Sequence, residues 1–201
     1  MLDKHLVPHL VAPLNAVARQ LNARGVRADQ VTWAGFVLGL ACVVALAMNA
    51  FDLALGLLVA NRVADGVDGA LARMQTPTDA GAFLDICLDF VFYALFPIGF
   101  ALADPANALA AAVLIASFVG TGASFLAFAK FAEARGIQHP NFAYKGLYYL
   151  NGLAEGTETI ACFVLMCLLP QHFVLLAGIF ATICIVTAVN RIVGGWRSLR
   201  D

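Results

Sequence analysis

Four aspartates stand at spacings that suit helices: Asp65 and Asp68 are three apart, Asp85 and Asp89 four apart. On α-helices each pair shares one face, and Pro77, between the two segments, turns the second back antiparallel to the first. The two acidic faces then converge near one end of a helical bundle. Carboxylates without His or Cys beside them offer only hard oxygen ligands, which suit Mg²⁺ or Mn²⁺. Two such ions, about 4 Å apart, stabilise both the attacking and the leaving oxygens of a phosphoryl transfer. Gly66 and Gly69 expose backbone beside the acids and admit a bulky diphosphate, and Arg73 offers a fork of donors to phosphate oxygens. The acids alone also suit interhelical hydrogen bonds between protonated carboxyls, or a cation or proton path. A transport path needs neither the glycines nor the arginine.

The elements that position these residues follow from composition. Of 201 residues, 62% are hydrophobic and 12% charged, too little polar surface for a water-soluble domain, so the chain is read as an integral membrane protein. Inside a membrane helix each carboxylate costs about 2.5 kcal/mol or more, which sets the acid cluster apart from packing residues. Six segments reach or approach the roughly 20 apolar residues that span a bilayer: 31–50, 52–74, 80–103, 106–130, 153–170 and 172–194. Short polar breaks separate them, except for a longer link over 131–151. The expected fold is therefore all-α, a bundle of six transmembrane helices.

Ahead of the first span, Leu6, Leu10, Leu14, Val17 and Leu21 recur at helical spacing with Lys4, Arg19 and Arg24 between them. That pattern predicts an amphipathic helix in the membrane interface, with Pro8 and Pro13 breaking or restarting its first turns. Residues 1–30 are read as this leader and 31–201 as the membrane domain. The start shows no secretory signal. With six spans, every Lys and Arg falls on one side, and the three opposite loops carry none. Both termini and the acid site are thus expected to be cytoplasmic, in a bacterial-type inner or plasma membrane. The five cysteines, Cys42, Cys87, Cys162, Cys167 and Cys184, lie in apolar stretches and read as small buried hydrophobes.

The segment from Asp65 to Asp89 resembles the signature of the CDP-alcohol phosphotransferase family, D-x-x-D-G-x-x-A-R, a spacer, then G-x-x-x-D-x-x-x-D. Asp65, Asp68, Gly69, Ala72, Arg73, Gly81, Asp85 and Asp89 fill its fixed positions, across a spacer of seven residues, one shorter than is common. The resemblance implies a membrane enzyme of phospholipid biosynthesis that moves a substituted phosphate, typically phosphatidyl, from a CDP-alcohol such as CDP-diacylglycerol to a hydroxyl acceptor and releases CMP. It implies that Asp65, Asp68, Asp85 and Asp89 surround two metal ions, and that Asp89 is the base. The CDP portion would be held by Asp65, Asp68, Gly69, Ala72, Arg73 and Gly81. A weaker likeness places Thr32, in Ala28-Asp29-Gln30-Val31-Thr32, where family members often carry P-N-x-x-T, with Asp29 replacing the amide. A homodimer is also implied, and no nucleic-acid partner.

On the acceptor side, Tyr144–Tyr149 leads into Asn151 and then Glu155, Thr157, Glu158 and Thr159 at the entrance of the fifth span. Lys145, Glu155, Glu158 and Arg191 are the candidate acceptor contacts, set against a solvated helix start and lipid headgroup binding. Two G-x-x-x-G patterns, Gly35–Gly39 and Gly152–Gly156, point to close helix packing or a dimer face. The competing functions are a small cation or proton transporter and a structural membrane subunit. The first would pass ions and the second would hold no metal.

Overall fold

The computed structural model describes residues 3–135, 154 and 156–200, with side chains from Val11 onward except Glu133. Among them the chain is helical throughout, in seven helices: α1 Asp3–Ala23, α2 Ala28–Ala47, α3 Phe51–Met74, α4 Asp79–Ala103, α5 Ala108–Ala134, α6 Gly156–Leu168 and α7 Phe173–Ser198. Single 3₁₀ turns, Pro105–Asn107 and Pro170–His172, lead into α5 and α7. Helices α2 to α7 fall on the six apolar stretches of the sequence. Four segments, α2, α4, Pro105–Ala132 and Pro170–Ser198, are long and apolar enough to cross a membrane. Helix α3 is long enough but carries Asp52, Arg62, Asp65, Asp68 and Arg73, and the described part of α6 has 13 residues.

Local chemistry sets the ends. Thr78 is extended at the start of α4 and its Oγ1 accepts the Gly81 N–H at 3.0 Å, an N-cap that stops the turn from continuing α3. Gln30 Oε1 accepts the Arg27 N–H at 3.0 Å at the start of α2. Asn49 turns the chain between α2 and α3 with φ 59°, a left-handed conformation that Asn tolerates better than other side chains. The prolines of α1 do not interrupt it: the helix runs from Asp3 through Pro8 and Pro13 to Ala23. Each proline removes one backbone hydrogen bond, a local loss that leaves the helical path intact.

Helix α1 packs on α3. Ala18 is buried with Ala70 and Leu71, flanked by Leu21 and Val26, and Leu14 covers Gly66. A Cβ at Gly66 would come 2.8 Å from Leu14 Cδ1, so this glycine serves the α1–α3 contact and does not open the backbone to a ligand, contrary to the expectation from sequence. Gln75, at the end of α3, ties down the α1–α2 connection. It accepts the Ala28 N–H at 3.2 Å and donates to the Val26 carbonyl at 2.8 Å and to Asn22 at 3.1 Å.

The centre of the bundle is formed by α2, α3 and α4, with α5 and α7 packed together behind α4 and α6 against α3. Gly35 and Gly39 let α2 close on its neighbours: Cβ atoms there would stand 3.1 Å from Ala64 Cβ and 2.7 Å from Phe92 Cδ2. Both glycines are buried, so this small-residue stripe is spent inside the chain and is not a dimer face. Below it runs an aromatic column. Phe92, Phe96 and Phe100 on α4 are each at most 1% exposed; Phe96 stacks on Phe163 at 3.9 Å between ring centres and Phe100 on Phe173 at 4.4 Å. Cys42, Cys162, Cys167 and Cys184 are buried and form no disulfide, as their apolar context predicts, whereas Cys87, on α4, is only half-buried, contrary to that expectation.

Candidate active site

One face of α4 changes character along its length, from Asp85 and Asp89 to Phe92, Phe96 and Phe100 one helical turn at a time. Facing it, α3 presents Asn61, Asp65 and Asp68, again spaced by single turns. Where the acidic ends of α3 and α4 meet the start of α2 they border a half-open cleft, lined by Thr32, Gly35 and Phe36 of α2, Asn61, Arg62, Asp65 and Asp68 of α3, and Asp85, Leu88, Asp89 and Phe92 of α4. All four aspartates picked out by spacing, and Thr32 with them, therefore lie on a single cavity.

The aspartates are not equivalent. Carboxylate oxygens of Asp65, Asp68 and Asp85 lie within 4.8 Å of one another, with Asp68 buried and the other two half-buried. This oxygen-only donor set, with three negative charges in a bundle interior, fits a hard divalent cation of the Mg²⁺ or Mn²⁺ kind. Asp89 stands apart: its Oδ1 accepts a hydrogen bond from Arg62 Nη2 at 2.8 Å. The same guanidinium reaches Asp65 Oδ2 at 3.7 Å. Asn61 is 3% exposed and donates to the Gly35 carbonyl at 2.8 Å.

Arg62 and Asn61 are the polar cleft residues that spacing alone did not assign. Arg62 entered the sequence reading only as a positive charge that orients the chain. Its signal was its depth: a charge in the middle of a span, one turn before an acid, is costly in lipid and marks a functional pocket with a partner to be named.

The remaining signature positions occupy the adjoining helix ends. Gly69, Ala72 and Arg73 are in the last two turns of α3 and Gly81 is in the first turn of α4, so the short 75–78 connection puts them at the same end of the bundle, outside the cleft lining. At Gly69 a Cβ would meet only Arg73 Nη1, at 3.4 Å, which leaves this face of α3 open; Arg73 itself is exposed. At Gly81 a Cβ would stand 3.0 Å from Asp29 Oδ1 and 3.1 Å from Thr78 Oγ1. Gly81 thus admits the start of α2 against the start of α4, and Asp29 borders that contact.

Of the acceptor candidates, Lys145 and Glu155 lie outside the described residues, as do Tyr144–Tyr149 and Asn151. Glu158 is half-buried in the first turn of α6. Arg191 is 9% exposed on α7, with Nη1 donating to the Thr121 carbonyl at 3.4 Å and its guanidinium 5.5 Å from the Phe125 ring centre. Neither lines the aspartate cleft.

The described helices α2 to α7 thus form a bundle with a carboxylate cleft at one end, and α1 packs on α3 beside it. Residues 26–190 match the family model of CDP-alcohol phosphatidyltransferases. The chain belongs to that family and is a transferase enzyme. It is 48% identical over 202 residues to the Escherichia coli protein described as inner membrane protein YnjF, a match covering 100% of this chain and 98% of that one. Its fold is shared with the Mycobacterium tuberculosis phosphatidylinositol phosphate synthase, whose crystal structure has CDP-DAG bound. That likeness has a TM-score of 0.73 at 20% identity and covers 91% of this chain and 93% of the other.

Proposed function

We propose that this enzyme transfers a phosphatidyl group from CDP-diacylglycerol to a hydroxyl acceptor, with a divalent metal, on the cytoplasmic side of a bacterial inner membrane. The observation that carries this reading is the meeting of Asp65, Asp68 and Asp85 within 4.8 Å in a cleft that also holds Asp89. Support for the lipid donor comes from the CDP-DAG bound to the mycobacterial fold neighbour, and for the membrane from the inner-membrane relative.

Asp65, Asp68 and Asp85 are the residues that would hold the metal, which when bound supplies positive charge against the donor diphosphate and the departing CMP. Around it, the chain's own groups have separate tasks. Thr32, at the α2 edge of the cleft, contacts the cytidine portion. The open face at Gly69 and Ala72 lets the diphosphate lie against α3, and Arg73 binds its oxygens as a fork. Gly81 keeps the α4 side of that approach narrow but unblocked. Asp89 takes the proton from the acceptor hydroxyl as its oxygen attacks the β-phosphorus. A new P–O bond to the acceptor forms, the bond from the β-phosphorus to the bridging oxygen breaks, and that oxygen leaves with its electron pair on CMP. Lys145, Glu155, Glu158 and Arg191 are assigned to the acceptor side of the bundle.

The test is direct. Purified protein is incubated with Mg²⁺, CDP-diacylglycerol and a panel of alcohols that includes glycerol phosphate, inositol phosphate, serine and choline, and CMP is measured. Release that needs one of these acceptors, and that stops in excess EDTA, is expected. Undiminished release in EDTA would remove the metal from the mechanism.

A further inference from the structure

The start of α2 carries Thr32 onto the cleft, and it is fastened from outside the helix. Arg27 precedes α2 in an extended conformation, φ −90° and ψ 151°. The Ala28 N–H that follows is one of the donors a helix start leaves without a partner inside the helix. Gln75, 47 residues further on, supplies that partner: its Oε1 accepts the Ala28 N–H at 3.2 Å. Its Nε2 donates to the Val26 carbonyl at 2.8 Å and to Asn22 Oδ1 at 3.1 Å. Gln75 is itself fixed to the end of α3, where its backbone N–H donates to the Leu71 carbonyl at 3.0 Å. One amide group therefore binds the end of α1, the connection and the first residue of α2 to α3. On the other side of Ala28, its carbonyl accepts Thr32 Oγ1 at 3.2 Å, and Thr32 lines the cleft with Asp68 and Asp85.

We propose that Gln75 is a positioning residue for the CDP donor: through Ala28 it sets where Thr32 stands against the aspartates of α3 and α4. The proposal rests on the CDP-alcohol transfer proposed above. Little else in the connection dictates that register. Gly25 takes φ 73° with nothing within 4 Å of where a Cβ would be, so the turn is open on that side. Val26, Ala28 and Val31 pack on the Ala18, Ala70 and Leu71 cluster, but apolar contact has no direction and tolerates sliding. Hydrogen bonds are directional, and three from one side chain choose a single seating of α2 on α3.

Equilibrium binding of radiolabelled CDP-diacylglycerol to the purified full-length protein, in detergent with Mg²⁺, tests this without turnover, beside the thermal midpoint of each variant. Gln75→Ala is expected to raise the donor Kd about fivefold or more, and to weaken soluble CDP by a similar factor, because the loss falls on the nucleotide end. Ala28→Pro is the rescue. Proline has no N–H to satisfy, its ring presets the first helical φ, and the extended Arg27 before it accommodates the ring. The double variant Gln75→Ala, Ala28→Pro is expected to bind donor within about twofold of the parent. In a Thr32→Val background, which lacks the hydroxyl being positioned, Gln75→Ala should cost less than about twofold. A folded Gln75→Ala protein with the parent's Kd overturns the proposal. So does a double variant no tighter than Gln75→Ala alone, or an undiminished loss in the Thr32→Val background, which would be the behaviour of a merely structural contact. Should Gln75→Ala fail to fold, Gln75→Asn, the same amide one carbon shorter, is read in its place against the same two outcomes. A parent protein that binds no CDP-diacylglycerol overturns the donor reading and this proposal with it, and is recognised before any variant is made.

Discussion

Asp68 is the most buried of the acids, at 4% exposed, and has two other carboxylates within 4.8 Å. Charges so placed repel one another and lose hydration, so they oppose folding when no cation is present. Asp68→Asn and Asp85→Asn are therefore expected to cut CMP release by at least about 10²-fold while the metal-free protein melts no lower than the parent. A thermal melt in detergent with EDTA, beside the CMP assay, checks both halves. Asp89→Asn should behave differently: near-normal donor binding with chemistry slowed about 10² to 10⁴-fold, as for removal of a positioned base. Donor binding and single-turnover release, measured separately, distinguish a base from a ligand. The four acids were legible in the sequence because i, i+3 and i, i+4 spacing alone puts each pair on one helix face. Arg62 was not, since its closest acid, Asp89, lies on another helix 27 residues away, and no spacing rule joins those two. Gly66 was misread for a related reason. A glycine beside an acid looks like room for a ligand, and only the path of α1 shows that Leu14 fills that room.

At the level of helices, the apolar stretches marked six of the seven elements, because hydrophobic runs broken by Asn, Pro and Thr leave little choice of ends. What composition could not supply was which face each helix turns inward. Helix α2 is apolar on every face beyond its first turns, so only the Gly35–Gly39 spacing marked its inward stripe, and the contacts show that stripe meeting α3 and α4. The glycines offer a sharp comparison. At Gly39 an added Cβ would stand 2.7 Å from a ring atom of Phe92 and 3.2 Å from Asn61 Nδ2, whereas at Gly56 nothing lies within 4 Å. Gly39→Ala should then destabilise the protein by about 1–3 kcal/mol, through overpacking against the residues that carry the cleft. Gly56→Ala should be neutral or gain about 0.5–1 kcal/mol from helix propensity. Denaturant or thermal midpoints of the two variants in one detergent give the comparison, and equal midpoints would show that α2 does not pack as closely as described.

For the molecule as a whole, antiparallel helices separate two unlike ends. The connections at 48–50, 104–107 and 169–172 contain no Lys or Arg, while Arg24, Arg27, Arg73 and Arg135 border the opposite ones. Single cysteines placed at Asn49 or Gln171 in a cysteine-free background should react with an impermeant thiol reagent from outside intact cells, and those at Thr76 or Ser198 only after permeabilisation. The reverse pattern would put the cleft on the far face. Beneath the acids, the stacked rings of Phe96 on Phe163 and of Phe100 on Phe173 occupy the interior where a pathway to the other side would have to run. A column of closely packed benzene rings gives a permeating ion neither oxygen ligands nor a water chain. Reconstituted in a planar bilayer under an applied voltage, the protein should thus be electrically silent, with or without Mg²⁺. A cell that fills its membrane with this enzyme would keep its proton gradient intact.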